Sequence, residues 1–308
     1  MLTDDDGIMV LAWLSTQQVT QVRALASFCE ARDGYSIEVR LDLGTLEARP
    51  EGSVSDVLWY ESEQLVGFAG MNSYGDPSEV EATILVHPDF RRRGIGRRMT
   101  RLVVRECQKC GVRRMLVVVP QESREGAEFA RAMGTRHSHS EYTMDLDVTR
   151  IPPFETTPDP VELRPAGAED VPVMAAIVAS AFAEPVGEEE QALVRLMKDP
   201  SRTTYLAAQD GRPVGVIQSA ISDGRAFIVH FAVRPEMQGQ GIGRQMLLAI
   251  VRGLLNSGSQ WITIEVETEN RNALSLYQRC GFVTVNATDY ELQELPRIPT
   301  APELLFDR

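Results

Sequence analysis

Four cysteines in 308 residues are too few for a disulfide framework. That scarcity points to a reducing, cytoplasmic setting rather than an oxidising compartment. No apolar run reaches the ~20 residues that a membrane-spanning helix needs. The start, Met1-Leu2-Thr3-Asp4-Asp5-Asp6, is acidic and lacks the basic head of a secretory signal. Positive charge is also short, with 31 Lys and Arg against 44 Asp and Glu and a net charge of −13. Binding to a phosphate backbone runs on Lys and Arg, so nucleic acid is not expected as the main partner, whereas a cationic substrate is compatible. Metal ligands are sparse as well. Cys107 and Cys110 form a Cys-x-x-Cys inside an expected helix with no second pair nearby, and read as ordinary thiols. His137 and His139 alternate along an expected strand without a third ligand, so no metal is expected.

What is present is a soluble globular composition, 43% apolar and 24% charged. The length suits two domains of about 150 residues each. Strands are expected at Ile8–Trp13, Val54–Glu61, Leu65–Asn72, Val80–Val86, Val112–Val119 and Ser138–Leu146. Helices are expected from a Thr16 cap onward, from Gly94-Ile95-Gly96 to about Cys110, and over Arg124–Met133. Residues 148–160 carry four prolines and read as a stiff linker. Beyond it the order repeats, with strands at Val161–Arg164, Thr204–Gln209, Val214–Ser222, Ala226–Val233, Trp261–Glu267 and Phe282–Leu292. The matching helices are Ala168–Phe182, Glu188–Lys198, Met246–Leu255 and Asn270–Arg279, and residues 295–308 form a tail.

The halves superpose with a constant offset, 233 − 86 = 147, which sets Val86 on Val233 and Pro88 on Pro235. It also sets Gly94-Ile95-Gly96-Arg97 on Gly241-Ile242-Gly243-Arg244, Met99 on Met246 and Gly134 on Gly281. One register over two separate motifs indicates a tandem duplication of one α/β domain, a mixed sheet with helices on both faces.

The most informative stretch is Val233-Arg234-Pro235-Glu236-Met237-Gln238-Gly239-Gln240-Gly241-Ile242-Gly243-Arg244, between a strand and a helix. Glycines permit positive φ and close approach of a ligand, and the helix start adds partial positive charge, so the stretch is a cradle for phosphate. It is not a nucleotide-hydrolase loop, because Arg244-Gln245 stand where Lys-Ser or Lys-Thr would. Its glycine spacing also fits a dinucleotide fingerprint poorly. Downstream, Asn270 is suited to cap a helix on which Ala273 and Tyr277 share its face, and Gly281-Phe282 closes the helix.

The pattern Gln238-x-x-Gly241-x-Gly243 resembles the acyl-CoA pyrophosphate loop of the GNAT N-acetyltransferase superfamily. Asn270-x-x-Ala273-x-x-Leu276-Tyr277-x-x-x-Gly281-Phe282 is similar to that superfamily's second motif at every named position. The resemblance covers nearly the whole chain as two copies. It implies acetyl-CoA as acyl donor, with Val233, Gln238, Gly239, Gly241, Ile242, Gly243, Arg244, Asn270 and Ala273 at the CoA and Tyr277 as acid for the departing thiolate. It also implies an acceptor amine from a small molecule or peptide. For the base, Glu265 stands 277 − 265 = 12 residues before the tyrosine, the spacing of ribosomal-protein alanine acetyltransferases. His230 and a water relay are alternatives, and Glu267 shares the Glu265 strand face. Many relatives keep a glutamate early in the preceding strand, where Phe227 stands here.

The first copy keeps Arg91, Gly94 and Gly96 of the loop. Its second motif is worn: Ser123 replaces Asn270, Ala130 replaces Tyr277 and Val118 replaces Glu265. The division expected is a degenerate domain at 1–147, the linker at 148–160, a catalytic domain at 161–294 and the tail. A non-catalytic acyl-CoA-binding protein is the second reading.

Overall fold

The computed structural model describes residues 7–37, 56–73, 78–153, 160–222 and 224–296. Most of the proline-rich linker and nearly all of the tail lie outside them. The chain forms two compact units, Met1–Ser140 with Ala287–Arg308, and Glu141–Asn286.

In the first unit, β1 (Ile8–Leu11), β2 (Asp56–Glu61), β3 (Gln64–Asn72), β4 (Glu79–Val86) and β5 (Arg114–Pro120) lie in that order. The helices are α1 (Thr16–Asp33), α2 (Ile95–Lys109) and α3 (Arg124–Ala132). β4 and β5 are parallel, as a crossover through α2 requires. The apolar stripe of α2, with Ile95, Met99, Val103 and Cys107 at helical spacing, packs with Val66, Met115 and Val117 on one sheet face. The α1 stripe of Val19, Val22, Leu25, Ala26 and Cys29 covers the other, with Leu58, Phe68 and Leu85. The cap of α1 is Ser15 rather than Thr16, because Gln18 completes a reciprocal capping box with Ser15.

The second unit orders the later part of β6 (Arg136–Leu146), then β11 (Trp261–Glu267), β10 (Arg225–Val233), β9 (Arg212–Ser222), β8 (Arg202–Gln209) and β7 (Glu162–Pro165). Its helices are α4 (Val171–Phe182), α5 (Val186–Leu196), α6 (Ile242–Asn256) and α7 (Arg271–Arg279). Here β10 and β11 are the parallel pair. Ile242, Met246, Leu247, Ile250 and Val251 of α6 pack with Ile228, Ile262, Ile264 and Val266 on one face. Met174, Ala175 and Val178 of α4 and Leu193 of α5 cover Leu206, Val216 and Ala232 on the other. The long α6 starts at Ile242, four residues before the expected Met246, because Gly241 in the left-handed region ends the loop there.

The units differ from the halves of the sequence at the closing strands. Residues 287–294 of β12 (Phe282–Glu294) pair antiparallel with β5, Thr288 opposite Pro120 and Glu294 opposite Arg114. Residues Glu141–Asp145 of β6 pair with β11, Glu141 opposite Glu267 and Asp145 opposite Thr263. Each half of the chain therefore supplies a strand to the sheet of the other half's unit. Leu295, assigned to the tail, is buried in the first unit's core.

Candidate active site

The glycine-rich loop is held in shape from behind. Arg234 N–H donates to Val214 O at 2.9 Å, and Pro235–Met237 make one 3-10 turn. The Gln238 side chain then reaches back, its Nε2 donating to Val233 O at 3.0 Å. Gly239 and Gly241 take φ of 76° and 83°, in the region that favours glycine. Gly241 caps α6 with no side-chain hydrogen bond. The first-turn amides therefore have no capping oxygen and no intrahelical acceptor, which is the electrostatics an anion needs. Gly243 has a different reason to be small: a Cβ there would lie 3.3 Å from Leu276 Cδ2 of α7.

Two irregularities open the sheet beside this loop. β10 pairs with β11 only from Arg225–Ile228 against Trp261–Ile264, and beyond that point the two strands part. In the same place the register with β9 slips: Val229 faces Gln218 and Ala232 faces Val216, so His230 and Phe231 stand opposite Ile217 alone. This is a β-bulge, and His230 carries its strained φ of 46°. A bulge re-aims backbone N–H groups out of the ladder, here at the mouth of the gap between β10 and β11.

The second motif lines one side of the gap. Asn270 Oδ1 accepts from Ala273 N–H at 3.1 Å and caps α7, so the asparagine's side chain serves the helix start. Tyr277, two turns further along the same face, is 7% exposed. Its ring stacks on Phe231 of the bulge, centroids 6.2 Å apart and 18° between planes, and tilts against Phe282. Burial pushes the phenol well above its usual pKa, so it stays protonated and able to donate.

The candidate bases lie on the opposite face of the sheet. Ile262, Ile264 and Val266 point to α6, so alternation turns Thr263, Glu265 and Glu267 toward the α4 face. Glu265 is exposed and accepts from Thr143 Oγ1 at 3.2 Å. Phe227, paired with Thr263, shares this face. His230 is lowered in pKa by burial, then by the Arg202 charge, with Glu184 acting the other way. Its imidazole is therefore neutral at neutral pH and able to accept a proton. A thioester threaded through the gap would have Tyr277 on one side and Glu265 with His230 on the other.

The sequence reading missed a further group on this face. Glu189, in the run Glu188-Glu189-Glu190, sits four residues before buried Leu193 and is only 8% exposed. Burial, followed by a side-chain hydrogen bond with the Glu184 carboxyl, raises its pKa to about 7. Within an acidic run it looks solvated; only its place on the inward stripe of α5 could have signalled otherwise.

The first unit reproduces the loop and the parting of the strands, β4 and β5 being paired only over Glu79–Ala82 against Arg114–Val117, but not the bulge. Arg92 and Gly94 take φ of 64° and 83° at the positions of Gly239 and Gly241. A Cβ on Gly96 would meet the Phe129 ring at 3.2 Å, the counterpart of the Gly243 contact with Leu276. Arg91, however, is committed inward: Nη2 and Nη1 donate to Asp33 at 2.6 and 2.8 Å, and Nη1 also to Glu125 at 3.2 Å. Ser123 caps α3 as Asn270 caps α7, but accepts from Tyr35 Oη at 2.7 Å. β4 keeps an unbroken register with β3 and has no bulge. Glu79 pairs with Arg114, a separation of 114 − 79 = 35, whereas Arg225 pairs with Trp261, 261 − 225 = 36; the extra residue is the bulge. Among the described residues no group of three His, Cys, Asp or Glu side chains could hold a metal ion.

The profile of the Acetyltransferase (GNAT) family matches residues 19–134 and 172–282. The chain belongs to this family, as two tandem copies, and is an N-acetyltransferase. It is similar to a mycothiol acetyltransferase of Thermomonospora curvata, 28% identical over 305 residues that cover 95% of this chain and 99% of the relative. A mycothiol acetyltransferase of Nocardiopsis dassonvillei is 29% identical, covering 85% and 89%. The fold is shared with a GCN5-related N-acetyltransferase from Sphaerobacter thermophilus, TM-score 0.77 at 20% identity, covering 97% and 99%. It is also shared with a tandem GNAT protein of clavulanic acid biosynthesis, TM-score 0.69 at 18% identity, covering 95% and 99%. No described helix is long and apolar enough to cross a membrane.

Proposed function

We propose that acetyl transfer from acetyl-CoA to a small-molecule amine takes place in the second unit, and that the first unit is a worn copy without transferase chemistry. The observation that carries this reading is the bulge at His230 and Phe231 beside the parted strands, with Tyr277 stacked on it. In the first unit β4 runs straight and Ala130 stands in place of the phenol.

In this reading the uncapped start of α6 grips the pyrophosphate and the pantetheine arm enters between β10 and β11. Bulge amides polarise the thioester carbonyl. The amine attacks from the α4 face, giving its proton to Glu265 directly or through water, or to His230. The carbon–sulfur bond then breaks, and Tyr277 protonates the thiolate. The relatives' name suggests a mycothiol precursor as acceptor. Phe227 sets this chain's α4 face apart from relatives with a glutamate there, so its acceptor is proposed to differ. Release of free thiol from acetyl-CoA across a panel of amines tests the reading. CoA binding without amine-dependent release would identify a non-catalytic acyl-CoA-binding protein instead.

A further inference from the structure

We infer that the first unit binds a small aromatic acid in a cleft between α2 and α3. Arg97 and Arg101 hold the anionic head, an apolar wall takes the ring, and Gln293 accepts from a donor at its far end. This binding is independent of the transfer proposed for the second unit.

The cleft has a volume of about 600 Å³ and runs along α2 for two turns, from Arg97 to Val104. That is the size of a site for a small organic molecule. Val104, Phe129 and Met133 give it an apolar wall. Phe129 and Met133 both favour contact with an aromatic ring. Arg97 and Arg101, four residues apart, share the face of α2 that lines the cleft. Both are exposed, and among the described residues neither has a hydrogen-bond or ion-pair partner. Carboxylates on the facing helix α3 are taken elsewhere, Glu125 by Arg91 at 3.2 Å and Glu128 by Arg124 at 3.3 Å. Two cations one turn apart are thus left without counter-charge in a chain of net charge −13. A carboxylate meets both through charge-assisted hydrogen bonds.

The floor supplies the third contact. Gln293 of β12 stands opposite Met115 of the core beneath α2, so its side chain rises on the same face of the sheet. Its Oε1 is buried and has no hydrogen-bond partner. That state is costly, and a ligand O–H or N–H relieves it. Thr100 cannot, because its hydroxyl donates to Gly96 O at 2.9 Å.

The same place in the second unit is built from other residues. The offset of 147 sets Thr100 on Leu247 and Arg101 on Leu248, both buried in the core under α6. It sets the small Ala132 on the long Arg279. Leu146, next beyond the Asp145–Thr263 pair, takes the place of Gln293 and packs on that core. The polar lining is therefore particular to the first unit and is no remnant of a site the two copies shared.

The test is calorimetric titration of the full-length protein with 4-hydroxyphenylacetate, which carries the head, the ring and the donor. It should bind at least about tenfold tighter than 4-hydroxyphenylacetamide, which has the same shape and no charge. It should also bind tighter than phenylacetate, which lacks the donor. R97Q/R101Q changes two exposed side chains and should abolish the preference for charge, while Q293L should abolish the preference for the hydroxyl. T100L/R101L installs the second unit's residues and should fill the cleft and remove binding. Thermal melts of each variant confirm that it is folded. Saturating acetyl-CoA should leave the affinity unchanged. Absence of binding by 4-hydroxyphenylacetate, equal affinity for its amide, or a charge preference that survives R97Q/R101Q would overturn the inference. Displacement by acetyl-CoA would overturn it too, by making the cleft part of a CoA seat. Thiol release from acetyl-CoA, which tests the transfer reading, enters none of these outcomes.

Discussion

Arg91 and Gln238 perform the same task in the two units. Arg91 Nε donates to Val86 O at 3.1 Å, and Gln238 Nε2 donates to Val233 O at 3.0 Å. Each side chain ties the loop back to the last residue of the strand before it. What reads in sequence as a ligand-contacting position is thus first a brace. Gln238→Ala is expected to cost about 1 kcal/mol of stability and to weaken acetyl-CoA binding. Arg91→Ala breaks a bidentate pair with Asp33 as well, and should cost roughly 1–3 kcal/mol while leaving turnover unchanged. Thermal denaturation and steady-state kinetics on the two variants separate these outcomes.

Tyr277→Phe keeps the ring that stacks on Phe231 and removes only the hydroxyl group. Turnover should fall by about 10²–10⁴-fold, or roughly 3–5 kcal/mol of barrier, with little change in acetyl-CoA affinity. Full activity in the variant would take the phenol out of the mechanism.

Gly243→Val sets branched carbons against Leu276, whose Cδ2 lies 3.3 Å from the ideal Cβ. Helix α7 must shift away from α6, at a cost of about 1–3 kcal/mol. That movement carries Tyr277 with it, so kcat should fall along with the melting temperature. Gly241→Ala meets no atom within 4 Å, yet its φ of 83° is strained for alanine. It should cost about 1–2 kcal/mol without displacing α7.

Glu189 gives a pH signature of opposite sign to a salt-bridged acid. Its folded pKa, about 7, lies above the ordinary value of 4.5, so the native state holds the proton longer than the unfolded chain. The resulting penalty is absent below about pH 4.5, grows between there and 7, and is complete above. The groups acting on Glu189 are the Glu184 carboxyl, which shares a hydrogen bond with it, and Glu188. Glu189→Gln should therefore stabilise the protein at alkaline pH and make little difference in acid. With screening by solvent at Glu184, the gain is roughly 1–2 kcal/mol. Urea titrations at both ends of the window measure it.

The duplication, the phosphate loop and the Asn270 to Phe282 motif were legible because each is a local pattern with its own spacing. The matching φ values at Arg92 and Gly239, and at Gly94 and Gly241, show how faithfully that spacing carries backbone shape. The bulge was less legible. It is a one-residue change between strands whose apolar pattern is otherwise continuous, and appears only when the pairing of Arg225 with Trp261 is set against that of Glu79 with Arg114. Glu189 was hidden because burial depends on where α5 docks. The destination of the closing strands could not be read at all, since β12 and β6 carry the same alternation whichever edge they join.

The crossed closing strands bear on how the protein can be taken apart. A fragment ending near residue 150 removes Thr288–Glu294 from β5, baring a strand edge rich in valine and leucine. Such a fragment should aggregate, and supplying residues 160–308 in trans should restore solubility, as measured by size-exclusion chromatography. Gene duplication ordinarily yields a spare that drift can discard once its active groups are lost. Here the first copy keeps an edge that the second copy's own last strand covers, and lends β6 to the second copy in exchange. Point mutation can alter the chemistry of either copy, but deletion of one could not proceed without unmaking its neighbour.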